Sequence, residues 1–153
     1  MALIWLLACG PKHLPEGRVL AYGLNEDDTG RPDCLWALED SGPCATAGEP
    51  IELDADQAAR LRGLLSSAET FGEGESKCFL PHQVYVFEDA LGQVQEQVVV
   101  SLLCEGLRSA EGSTAQPRDP NQAGLSAQGL GGLKGLCVEL RLPHCEPRPE
   151  DFR

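Results

Sequence analysis

Cys78-Phe-Leu-Pro-His-Gln-Val-Tyr-Val-Phe-Glu-Asp-Ala-Leu-Gly-Gln-Val-Gln-Glu-Gln-Val-Val-Val-Ser-Leu-Leu-Cys104 is the stretch on which the fold turns. Val84 to Glu88 and Val94 to Leu103 are rich in β-branched and aromatic residues, which suit a pleated, half-buried surface. Between them, Asp89-Ala90-Leu91-Gly92 supplies turn chemistry, and a three-residue loop with Gly92 in the left-handed position predicts a β-hairpin. That loop sets Glu88 opposite Val94, Val84 opposite Val98 and Cys78 opposite Cys104. Because side chains alternate along a strand, this register predicts an apolar face of Val84, Val86, Val94, Val98, Val100 and Leu102, interrupted by Glu96. It leaves Tyr85 and Phe87 on a polar outer face, a candidate contact surface.

Upstream, Ile51 to Ala68 carries Ala58, Leu61, Leu65 and Ala68 at helical steps, with Leu64 widening the stripe and Asp54 or Asp56 placed to cap. Arg18 to Leu24 reads as a first strand, Asn25 to Asp33 as an acidic loop, and Cys34 to Glu39 as a second short strand. Downstream, residues 105–124 are rich in Gly, Ser, Pro, Gln and charge and predict a mobile surface loop, the second candidate contact surface. Ser126 then caps an amphipathic helix to Leu142 with Leu130, Leu133, Cys137 and Leu140 inward, and Pro143 stops it. Gly129, Gly131, Gly132 and Gly135 weaken this helix, so tertiary packing has to hold it. These elements predict an α+β two-layer sandwich, with a small antiparallel sheet and central hairpin packed against two helices and stapled by disulfides.

The chain has 153 residues and a formal net charge of -12, with its few basic residues scattered. Such a surface repels nucleic acid, which needs a basic stripe to neutralise its phosphates, and it disfavours electrostatic docking on anionic lipid. Seven cysteines are many for this length, and no Cys-x-x-Cys spacing occurs among them. Oxidised staples therefore explain them better than a metal or redox site in a reducing compartment.

Met1 to Cys9 is an apolar run too short to span a bilayer, which needs about 20 apolar residues. It reads as the hydrophobic part of an export signal. Leu6-Leu7-Ala8-Cys9-Gly10 resembles the lipobox of bacterial lipoproteins. The resemblance implies diacylglycerol on the sulfur of Cys9, cleavage after Ala8, and, from Gly10, sorting to the outer membrane. The chain then divides into an export signal (1–8), a lipidated tether (9–17), one α+β domain (18–145, with 105–124 as its mobile loop) and a flexible tail (146–153).

With Cys9 set aside, six cysteines remain. The hairpin register favours Cys78 with Cys104, and the local choices are then Cys34 with Cys44 and Cys137 with Cys145. Cys78-Phe79-Leu80-Pro81-His82, the valine-rich hairpin and the ending Leu142-Pro143-His144-Cys145 resemble a motif of uncharacterised small secreted bacterial proteins. That resemblance implies no activity.

Three constellations carry possible chemistry. Cys78, His82, Cys104 and His144-Cys145 have the donor types zinc prefers, and Cys78 with His82 or Cys145 with His144 could form a thiol–imidazole pair. A disulfide would remove those thiolates. Asn25-x-Asp27-x-Thr29-Gly30 matches the first half of a calcium loop, but its twelfth position is Trp36 where a glutamate is needed. Paired acids such as Glu88-Asp89 and Asp54-x-Asp56 are ordinary on so acidic a surface. The expectation is a non-enzymatic binding or structural module of the cell envelope without cofactor or metal, held to the membrane by its lipid, with an envelope protein as its candidate partner; the alternative location is secreted or periplasmic. The alternative is a small zinc- or thiol-dependent enzyme using His82 or His144.

Overall fold

The computed structural model describes residues 13–24, 49–72, 78–79, 82–117 and 124–146. The strand expected at 34–39, Cys9, the Cys34 and Cys44 pair and the calcium-like loop all lie outside them. The described chain is an α+β fold with a five-stranded antiparallel sheet in the order β2-β1-β3-β4-β5. Its strands are β1 (Val19–Gly23), β2 (Ile51–Glu52), β3 (Gln83–Glu88), β4 (Val94–Ser101) and β5 (Gly106–Ser109). Two helices, α1 (Ala55–Ser66) and α2 (Ala127–Glu139), pack on one face.

Both helices begin where the sequence places a cap. Asp54 Oδ1 accepts from Gln57 N at 2.8 Å while Gln57 Oε1 accepts from Asp54 N at 3.0 Å, a reciprocal capping box. Just before this cap, Ile51 and Glu52 pair with Ala21 and Leu20 as the short strand β2. Ser126 Oγ accepts from Gly129 N at 3.0 Å at the start of α2. Gly129 has a packing reason as well: a Cβ there would lie 2.2 Å from Thr70 O. Gly132 likewise faces α1, where a Cβ would lie 2.6 Å from the Leu64 side chain, so these two of the four glycines allow α2 to approach α1 and the turn after it closely.

The hairpin turn forms as expected, with Gly92 at φ 77 and Asp89 N donating to Gln93 O at 2.9 Å. Glu88 pairs with Val94, but Gln95 is an extra residue on β4, and every pair beyond it shifts by one: Phe87 meets Glu96, Tyr85 meets Val98 and Gln83 meets Val100. The shift corrects the predicted faces. Tyr85 and Phe87 are fully buried with Val98, Val100, Leu61, Leu65, Leu133 and Leu136 under the helices. Val84, Val86 and Val99 form a second apolar cluster with Leu24 on the other face. The physical reason is area: the two aromatics bring the largest apolar surface in the hairpin, and a bulge turns them to the helices. Tyr85 and Phe87 are consequently not a contact surface.

Two further differences concern segments read as loose. Within 105–124, Gly106–Ser109 is β5, paired with Val98 to Ser101 and held by β4 rather than by propensity of its own. Its outer edge is covered, since Gln116 Nε2 donates to Leu107 O at 2.9 Å and Gly106 bridges to Gly124. Within the expected tether, Leu14 is buried in the main core, and Arg62 donates from Nε to Pro15 O at 2.8 Å and from Nη2 to Gly17 O at 2.6 Å. The packed domain thus includes residues 14–17.

Candidate functional site

Two disulfides close the end of the sheet opposite the hairpin turn. Cys78 joins Cys104 with Cα atoms 5.4 Å apart, and Cys137 joins Cys145 at 5.5 Å. The first pair forms although the register that suggested it fails in mid-strand: β4 ends at Ser101, and the turn through Leu102 to Glu105 carries Cys104 across to Cys78. The second follows from a tight reversal after α2, in which Arg141 and His144 both take left-handed backbone angles. Pro143 fills the space over Gly23, where a Cβ would lie 2.4 Å from the ring, and its carbonyl accepts from Gln83 Nε2 at 3.3 Å.

The two histidines singled out from sequence meet here. Their ring centroids are 6.0 Å apart, tilted by 55°. His82 is fully buried at the start of β3, with its backbone bonded to Leu24 and Val100. Burial first, and His144 second, lower its pKa to about 4, so its imidazole is neutral near pH 7. With both sulfurs of each pair bonded to each other, neither Cys78 nor Cys145 presents a thiolate to a metal or a substrate. Among the described residues, no group of three or more His, Cys, Asp or Glu side chains could hold a metal ion.

At the hairpin end lies a buried charge, which sequence reading treated only as an interruption. Glu96 is fully buried, and Gln97 N and Glu111 N donate to its Oε1 at 2.8 and 3.0 Å. Ser109 Oγ and Ser113 N donate to its Oε2 at 2.8 and 3.0 Å. The carboxylate therefore binds the chain after β5 onto β4, a structural use of charge rather than an acid–base site. Nearby, Arg18 Nη2 lies 2.7 Å from Glu88 Oε2 and ties β1 to the end of β3. A lone acid in a valine-rich strand was the signal for the Glu96 cage.

A groove of about 440 Å³ lies between α1 and α2, lined by residues that include Arg60, Leu64, Ser67, Gln128, Gly132 and Leu136. Arg60 pairs with Glu139 at its margin, and Gln57 Nε2 also donates to Glu139 at 3.0 Å. The groove offers aliphatic surface with a polar rim, the composition of a binding site. Sequence reading missed it because the groove follows from Gly132 on α2 facing Leu64 on α1. No family model, curated protein or solved structure matches this chain.

Proposed function

We propose that this chain is a lipid-anchored protein of the bacterial cell envelope, carried on acylated Cys9 in the outer membrane and acting as a non-enzymatic binding or structural module. The observation that carries the reading is the pair of disulfides, Cys78–Cys104 and Cys137–Cys145, which belong to an oxidising compartment. The lipobox-like Leu6-Leu7-Ala8-Cys9 supports the anchor, because several acyl chains on one cysteine exceed what stable membrane attachment requires. The groove between α1 and α2 is the surface for a partner protein, replacing the Tyr85 and Phe87 face expected from sequence.

The anchor is tested by growing cells on a palmitate analogue: the wild type takes the label and Cys9→Ala does not. Equal labelling of both, or of neither, contradicts the reading. The groove is tested with Gly63→Trp, which adds bulk where a side chain would meet open space. An envelope partner retained by the wild type should be lost by this variant while its thermal unfolding is unchanged.

A further inference from the structure

We infer that the β3–β4 hairpin tip is a second membrane contact, with Leu91 seated in the headgroup region of a zwitterionic phospholipid layer. The inference rests on the acylated Cys9 proposed above. Three contacts place the point where the chain enters the domain beside that tip. The Gly17 backbone packs so closely on the end of β3 that a Cβ would lie 1.9 Å from Glu88 O. Glu88 N donates to Arg18 O at 2.9 Å, and His13 and Pro15 share a surface pocket with Gln95 and Glu111. His13 is four residues from Cys9 in sequence. Four residues reach at most about 14 Å when extended, so an acyl chain on Cys9 holds this end of the sheet at the lipid surface.

The tip is built for that position. Leu91 is 83% exposed, and Val94 is 36% exposed beside it. The amide groups of the tip are already bonded within it: Leu91 N and Gln93 N donate to Asp89 Oδ1, Gly92 N to Asp89 O, and Asp89 N to Gln93 O. Gln95 Nε2 donates to Asp89 Oδ2, so the carboxylate is partnered on both oxygens. Entering the interface therefore leaves few backbone donors without a partner, while the apolar side chains leave water. Charge selects the lipid. Glu16, Asp89 and Glu111 lie at this end with His13 and an Arg18 already paired to Glu88, so an anionic surface would repel it.

The test uses the full acylated chain with Trp36→Phe as background, in vesicles of phosphatidylethanolamine and phosphatidylcholine carrying brominated acyl chains, with Leu91→Trp compared with Glu146→Trp at the opposite end of the sheet. The Leu91→Trp signal should fall by roughly half or more and recover when anionic phosphatidylglycerol replaces much of the zwitterionic lipid, while the Glu146→Trp signal stays constant. Palmitate label on the protein with equal quenching at both positions overturns this inference and leaves the anchor standing. Absence of the label overturns both.

Discussion

At the hairpin end of the sheet a buried carboxylate, Glu96, gathers three backbone amides and a hydroxyl, whereas at the far end two disulfides and a neutral buried imidazole close the structure. Both ends tie irregular chain to the same sheet. They differ in what could undo them: one depends on a single charge staying in place, the other on the redox state of sulfur and the protonation of His82. The sheet itself does not choose between them, since β3 is buried along its whole length and runs from one end to the other.

Removing the charge should have the largest effect. Glu96→Ala removes the acceptor shared by Gln97 N, Glu111 N, Ser113 N and Ser109 Oγ and should cost about 3 to 5 kcal/mol in urea unfolding. A loss below about 1 kcal/mol would mean that the cage is incidental. Reduction probes the other end. Replacing Cys78 and Cys104 by serine should cost about 3.5 kcal/mol, and replacing Cys137 and Cys145 about 2.5 kcal/mol, because the sequence separations are 26 and 8. If the ends are independent, the Glu96 and disulfide effects add within about 0.5 kcal/mol.

Acid sharpens the contrast next. The pKa of His82 is lowered in the fold, so the unfolded chain binds the extra proton. Its contribution is complete above the unfolded value of about 6.5 and is lost as pH falls toward about 4, reaching about 3 kcal/mol. His82→Phe should remove that part of the slope in stability measured between those pH values; an unchanged slope would show that the imidazole is solvated. The smallest effect concerns Tyr85, whose buried hydroxyl finds no hydrogen-bond partner among the described residues and whose pKa is raised by burial. Tyr85→Phe should leave stability unchanged or raise it by about 1 kcal/mol, and a loss of that size would reveal a partner for the hydroxyl.

Much of this architecture is legible in the residues themselves. Asp54 and Ser126 mark the helix starts, Asp89 to Gly92 the turn, and the valine-rich runs the strands, because each signal is local and is satisfied by neighbours a few positions away. The bulge at Gln95 is not local. It follows from competition between Tyr85 and Phe87 on one side and Val84 and Val86 on the other for the face beneath the helices, and only the assembled core decides it. The unbroken Val98-Val99-Val100 run was the readable hint, since it suits a strand buried on both faces rather than an alternating one. β5 was illegible for a similar reason: Gly-Leu-Arg-Ser has little strand character, and pairing with β4 supplies what it lacks. For the candidate site, the residue types were visible in Cys78, His82, Cys104 and Cys145, but the groove between α1 and α2 depends on which glycines face which helix.

The most direct test of the whole reading is a free-thiol count and non-reducing peptide map of the native protein purified from fractionated cells. Expected are no reactive thiol, a Cys78–Cys104 fragment, a Cys137–Cys145 fragment and an acylated N-terminal Cys9. A chain recovered from the cytosol with Cys9 unmodified and Cys78, Cys104, Cys137 and Cys145 reduced would contradict it.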